Sequence, residues 1–313
     1  MNSELIKIFP VRLRELLRIV PEEGLTELRF RAACPVMLLY GAKELFLSRT
    51  ACRGVTKSRE ESYCVSANEI KEMMEHISNY SFYAYEEEIR QGYLTIQGGH
   101  RIGLCGRVVM GNDGIRTIRN ISFLNIRLAG EKKGCAEKVL PKLMQGTRFC
   151  HTLIVSPPGG GKTTLLRDLV RLLSDGFGEI AGRKVGIVDE RSEIAACFHG
   201  IPQNEVGIRT DVLDGCPKAQ GIPILLRAMS PEVIAIDEIG TREEALLMTR
   251  AVHNGCSILA TAHGGGYQEW KQSNAVVGLF TESVFERYVF LQGGSRPGQI
   301  ELVCDETFRE VTV

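Results

Sequence analysis

The chain has 313 residues with Lys+Arg and Asp+Glu both at 38, so its formal net charge is zero; the length predicts about two domains, and the lack of a basic excess argues against a protein that tracks nucleic acid or coats an anionic membrane through global charge. Hydrophobic residues are 44% of the chain, enough for a large core, and no run approaches the ~20 apolar residues of a membrane span. The ten cysteines contain no CxxC pair, which argues against structural zinc; with no secretory leader at the start, the thiols are expected to be reduced and the chain cytoplasmic.

Residues 4–20 place Leu5, Ile8, Phe9, Leu13, Leu16, Leu17 and Val20 at helical spacing. This predicts an amphipathic helix that packs on its own domain or docks on a partner. "LTELRFR" alternates like a strand, and "PVMLLYGAKELFLS" predicts a hairpin turning near Gly41. "ACRGVTKSREES" reads as an exposed loop. Residues 66–92 open on Ser66 with Glu69 three places on, a capping-box pattern, and continue with helical periodicity. Residues 93–129 read as strands joined by Gly-rich turns, "GNDG" being the strongest turn signal. The polar, Gly-containing "GEKKGCAEKV" predicts an interdomain linker. The expected division is an α+β domain at 1–130, a linker at 131–138 and an α/β domain at 139–313. In that last part apolar strands alternate with amphipathic helices, the pattern of a parallel sheet.

Within it, "TLIV" runs into "SPPGGGKTT", Ser156 to Thr164, and then into the helical "LLRDLVRLL". A GxxxxGK[ST] run that leaves a strand and opens a helix is a phosphate-binding P-loop. Its glycines let the chain curl so that backbone N–H groups face phosphate oxygens, and the helix N-terminus adds its positive end. Ser156, Pro157, Pro158, Gly159, Gly160, Gly161, Lys162, Thr163 and Thr164 are therefore expected to cradle a nucleoside triphosphate. Lys162 brings charge to the β/γ-phosphates and the Thr163 hydroxyl ligates Mg2+. Ser156 stands where the pattern has its first glycine.

Three further strands end in polar residues. "VIAIDEIG" ends in Asp237, expected to hold Mg2+ with Thr163, and Glu238, placed to activate water. "GIVDERSEIA" ends in Asp189, Glu190 and Glu193, which are either an ion-pair cluster with Arg191 or rivals of Glu238 as general base. "ILATAHG" brings Thr261 and His263 to a strand tip, where ligands of parallel sheets bind, and His263 is expected to sense the γ-phosphate.

"SPPGGGKTTLLRDL", "GIVDERSEIA", "LLRAMSPEVIAIDEIG" and "TAHG" resemble, in this order, the P-loop, acidic, Walker B and histidine boxes of type II/IV secretion and pilus ATPases. "SFYAYEEEIRQGYLTIQGGHRIGLCGRVV" and "IRNISFLNIRLAG" narrow the resemblance to the stage III sporulation AA family of endospore-forming bacteria. The resemblance implies a RecA-like P-loop ATPase domain behind a smaller α+β domain, and a homo-hexameric ring using ATP and Mg2+. It implies a place at the cytoplasmic, mother-cell face of a membrane complex built with other stage III proteins. It also implies arginines from the first domain on the phosphates, with Arg101 and Arg119 as best matches and Arg107, Arg116 and Arg127 as rivals. The alternatives are a nucleotide-gated scaffold with little hydrolysis and a nucleic-acid-dependent motor, the latter disfavoured by the neutral charge. ATP and GTP are not distinguished by a loop that reads phosphates.

Overall fold

The computed structural model describes residues 3–78, 85–111, 114–130, 132–240, 242–272, 284–293 and 298–312. It divides into two compact units, Met1–Gly130 and Glu131–Val313. The first unit is an antiparallel seven-stranded sheet in the order Val55–Thr56, Lys43–Leu47, Met37–Tyr40, Glu27–Arg31, Gly114–Arg127, His100–Gly111, Tyr93–Ile96. Its core is shared with four helices, Ser3–Lys7, Val11–Leu17, Ala67–Ile77 and Glu86–Gln91.

The single helix expected over 4–20 is two, divided by Pro10, which lacks the N–H an unbroken helix needs and so stands at the start of the second. The seven apolar residues at helical spacing are all buried, so that face packs on its own unit, while Val11 and Ile19 on the other side are exposed. The helix expected over 66–92 is also two. Ser66 and Glu69 form the reciprocal capping box at the start of the first. Gly92, at φ 82°, ends the second with backbone N–H bonds to Glu88 and Ile89. Residues 79–84, and Asn112 and Asp113 of the expected "GNDG" turn, lie outside the described residues.

The second unit carries a seven-stranded sheet in the order Thr210–Asp214, Val185–Asp189, Val233–Ile236, Ser257–His263, Thr152–Ser156, Arg287–Leu291, Ile300–Asp305. All neighbours are parallel except the last pair, an antiparallel hairpin. The strands Thr152–Ser156, Val185–Asp189 and Val233–Ile236 are buried along their whole length. Such continuous burial is what a sheet covered on both faces requires. Lys162–Asp175 packs into one core, and Lys218–Ala228 with Arg242–His253 into another. Parallel register puts Ser156 beside His263 and brings Ile236 and Asp189 to the same sheet edge. Ligands of open α/β sheets bind at that edge.

Two sequence expectations change here. The expected linker at 131–138 belongs to the second unit: Ala136 is fully buried and its N–H donates to Asp168 Oδ2 at 2.8 Å. Ala136, with its neighbour Cys135 packed against the same core, seats the charged run. The strand Thr210–Asp214 was hidden by its two acids, which an edge strand tolerates because one side stays wet. None of the ten cysteines forms a disulfide. Among the described residues, no helix is long and apolar enough to cross a membrane.

Candidate functional site

Strand Thr152–Ser156 feeds the loop 156–161, and helix Lys162–Asp175 leaves it. Gly159 (φ 71°) and Gly161 (φ 93°) take left-handed conformations, with Gly161 as the N-cap of the helix. Gly160 closes the turn, its N–H donating to Pro157 O at 3.0 Å. The serine that replaces the first glycine of the pattern is accommodated by this turn. Ser156 is fully buried, and its hydroxyl donates to Pro157 O at 2.8 Å, over Gly160. A Cβ on Gly160 would meet Ser156 Oγ at 2.1 Å. Ser156 thus shapes the loop from within, while Pro158, Gly159 and Thr163 remain partly or fully accessible. The loop is backed by Gly298, whose N–H donates to Gly160 O at 2.8 Å.

The second group assembles around it. Thr163 Oγ1 donates to Asp237 Oδ2 at 3.2 Å, and Thr261 Oγ1 donates to Asp237 Oδ1 at 2.7 Å. Glu238, at φ 35°, sits in a left-handed turn; its N–H donates to Asp237 Oδ1 (3.0 Å) and Thr261 Oγ1 (2.9 Å). Its carboxylate lies 3.1 Å from His263 Nε2 and 3.4 Å from Arg191. His263 Nε2 is also 3.4 Å from Lys162 Nζ. Lys162, Thr163, Asp237, Glu238, Thr261 and His263, drawn from three separate stretches of chain, therefore form one connected cluster at the strand edge. A cleft of about 270 Å³ opens beside it, lined by Glu190, Arg191, Lys218, Asp237, Glu238, Gly240 and Glu244.

The acids after Val185–Asp189 are used differently. Asp189 is fully buried and accepts the backbone N–H groups of Glu193 (2.8 Å), Ile194 (3.0 Å) and Ala195 (2.8 Å). Burial, reinforced by the charges of Asp214 and Asp237, pushes its pKa up to about 6 against the pull of the amides. Arg167 grips the same loop through Ile194 O and Glu193 O. Glu193 is thus held by its backbone. Glu190 is bound to Lys218 at 2.7 Å, and Lys218 also lies 3.1 Å from Glu244. Burial draws the Lys218 ammonium down, and the bonds from Glu190 and Glu244 more than offset this, leaving its pKa above the ordinary lysine value. Lys218 and Glu244 escaped the sequence reading, because a lysine and a glutamate at helix starts look like solvated charge.

Arg101 and Arg119 belong to the first unit, on the neighbouring strands His100–Gly111 and Gly114–Arg127. Arg101 lies over the ring of Tyr93, 3.8 Å from its centroid, and opposite Arg127. Arg119 is exposed and stands directly opposite Arg107, and Arg116 is exposed on the same strand.

The model of the family described as "Sporulation stage III, protein AA" matches residues 1–311. The chain belongs to that family. Its members include stage III sporulation protein AA of Bacillus subtilis (strain 168), 40% identical over 307 residues, covering 97% of this chain and 95% of that one. Among solved structures, the family fold seen here is similar to the Legionella pneumophila ATPase DotB, with TM-score 0.58, 14% identity, and 92% of this chain and 77% of that one covered. It is similar also to the pilus retraction motor PilT solved with bound ADP, with TM-score 0.56, 14% identity, and 92% and 78% covered. This is therefore a sporulation-family protein whose fold is similar to that of the ATPase DotB and the pilus retraction motor PilT.

Proposed function

We propose that the chain is a Mg2+-dependent ATP hydrolase whose second unit is a RecA-like motor domain, assembled as a hexamer. Its output powers or gates a membrane-associated complex between mother cell and forespore. The observation that carries this reading is the convergence of Lys162, Thr163, Asp237, Glu238 and His263 at one strand edge beside a loop with two left-handed glycines.

The residues fit the ion the reaction requires. Thr163 and Asp237 offer a hydroxyl and a carboxylate 3.2 Å apart. A Mg2+ held there would take its other ligands from phosphates and water. When bound, Mg2+ neutralises charge on the β- and γ-phosphates. The loop amides and Lys162 grip those phosphates and orient them. Glu238 accepts the proton of the attacking water as its oxygen bonds to the γ-phosphorus and the bond to the ADP oxygen breaks. Its partners His263 and Arg191 hold the carboxylate until substrate arrives. Because His263 also lies beside Lys162, loss of the γ-phosphate is felt at both residues. Glu190, engaged by Lys218, and Glu193, held by its backbone, are the weaker bases. Arg101 and Arg119 are proposed to neutralise phosphate charge in the assembled ring.

The test is steady-state ATP hydrolysis by wild type and Lys162→Ala, with mass from light scattering with and without Mg-ATP. Turnover lost in the variant, with a nucleotide-favoured ring, is the expected result. Binding and assembly with no turnover in wild type would replace this reading with a nucleotide-gated scaffold.

A further inference from the structure

The turn Asp237–Gly240 holds Glu238 at φ 35°, a conformation that a residue with a side chain keeps only when its surroundings enforce it. One side of the turn is held by Thr261, whose hydroxyl accepts the Glu238 N–H and whose carbonyl accepts the Ile239 N–H at 2.7 Å. The other side is held from the helices. Gly240 N–H donates to Glu244 Oε2 at 2.9 Å, and Glu244 Oε1 lies 3.1 Å from Lys218 Nζ. Lys218 is anchored in turn by Glu190 at 2.7 Å, and its side chain is only 11% exposed. The Glu190–Lys218–Glu244–Gly240 chain thus ties the ends of two neighbouring strands, Val185–Asp189 and Val233–Ile236, into one unit.

We propose that Lys218 is a positioning residue: acting through Glu244 and the Gly240 amide, it holds the turn that presents Glu238 to the attacking water. A lysine placed only to neutralise surface acids would be exposed and would bond one carboxylate loosely. Lys218 instead sits between two carboxylates from different elements: Glu244, which accepts the Gly240 N–H, and Glu190, which directly follows Asp189. The catalytic consequence rests on Glu238 as the water-activating residue; the conformational one does not.

The experiment therefore has two arms on the full chain. Amide hydrogen exchange reports the segment 237–240 and, as reference, the loop 156–164, in wild type, Lys218→Met, Lys218→Arg and Glu244→Gln. Steady-state ATP hydrolysis gives kcat and KM for the same proteins. Lys218→Met is expected to speed exchange at 237–240 about 10-fold while leaving 156–164 unchanged. It should lower kcat about 10- to 100-fold with KM within about twofold, the mark of misplaced chemistry rather than lost binding. Lys218→Arg, which keeps the charge, should recover most of both. Glu244→Gln, which keeps the Gly240 bond and loses the charge, should fall between, and it carries the test if Lys218→Met does not fold. Unchanged exchange at 237–240, or a uniform rise across both segments, overturns the proposal. A wild type without turnover defeats the hydrolysis reading alone, and the exchange arm still decides the role of Lys218.

Discussion

The strands Val185–Asp189 and Val233–Ile236 lie side by side in parallel, and each runs into an Asp–Glu pair, Asp189–Glu190 and Asp237–Glu238. The first aspartate is fully buried and spends its carboxylate on three backbone amides of its own loop. The second bonds two threonine hydroxyls, one of them on the helix Lys162–Asp175, and its neighbour Glu238 stays open to a cleft. The glutamates diverge likewise: Glu190 is tied to Lys218, while Glu238 keeps two partners on partly exposed side chains, His263 and Arg191. Adjacent strands with matching ends thus divide the work. One fixes its own loop, and the other borders the cleft.

Substitutions separate the two ends. Glu238→Gln should lower ATP turnover by about 100- to 1,000-fold with nucleotide affinity retained, read by single-turnover hydrolysis and by binding of a fluorescent ATP analogue. Asp189→Ala should act on folding instead. It leaves two buried N–H groups and one half-buried one without their acceptor, a loss of about 3 kcal/mol in chemical denaturation. If Asp189→Ala removed turnover at full stability, the division between the strand ends would be wrong.

A pH series sharpens the contrast. Asp189 titrates near 6 in the folded chain against an ordinary 3.8. Between those values the folded protein keeps a proton that the unfolded chain has released. The stability this contributes is complete below about pH 4 and is lost as pH rises through about 6, up to about 3 kcal/mol. The stability difference between wild type and Asp189→Asn should therefore fall over that window and be flat above it.

Two smaller effects probe the borders of the site. Gly160→Ala drives a methyl into Ser156 Oγ, and should weaken Mg-ATP binding about 10-fold. Adding Ser156→Gly should recover part of that loss, measured by the same titration. Arg191 meets Glu238 across a solvent-exposed gap of 3.4 Å. Arg191→Ala should therefore change kcat by no more than about fivefold, the range of exposed ion pairs.

Contiguous features were legible before any coordinates. The strand–loop–helix around Lys162, the capping box at Ser66 and the apolar strands ending in acids each depend on residues a few places apart, and local backbone chemistry decides them. The amphipathic run at 4–20 was legible as a buried face, with only its break at Pro10 unread. What tertiary structure alone decided was which acid is buried among amides and which faces the cleft. Thr163 meets Asp237 across 74 residues of sequence and Lys162 meets His263 across 101, pairings set by parallel crossovers and not by any local signal. Burial depth then separates Asp189 from Asp237. An acid inside a ring of amides becomes a brace, an acid at the cleft takes partners from other elements, and the two look the same when written as letters.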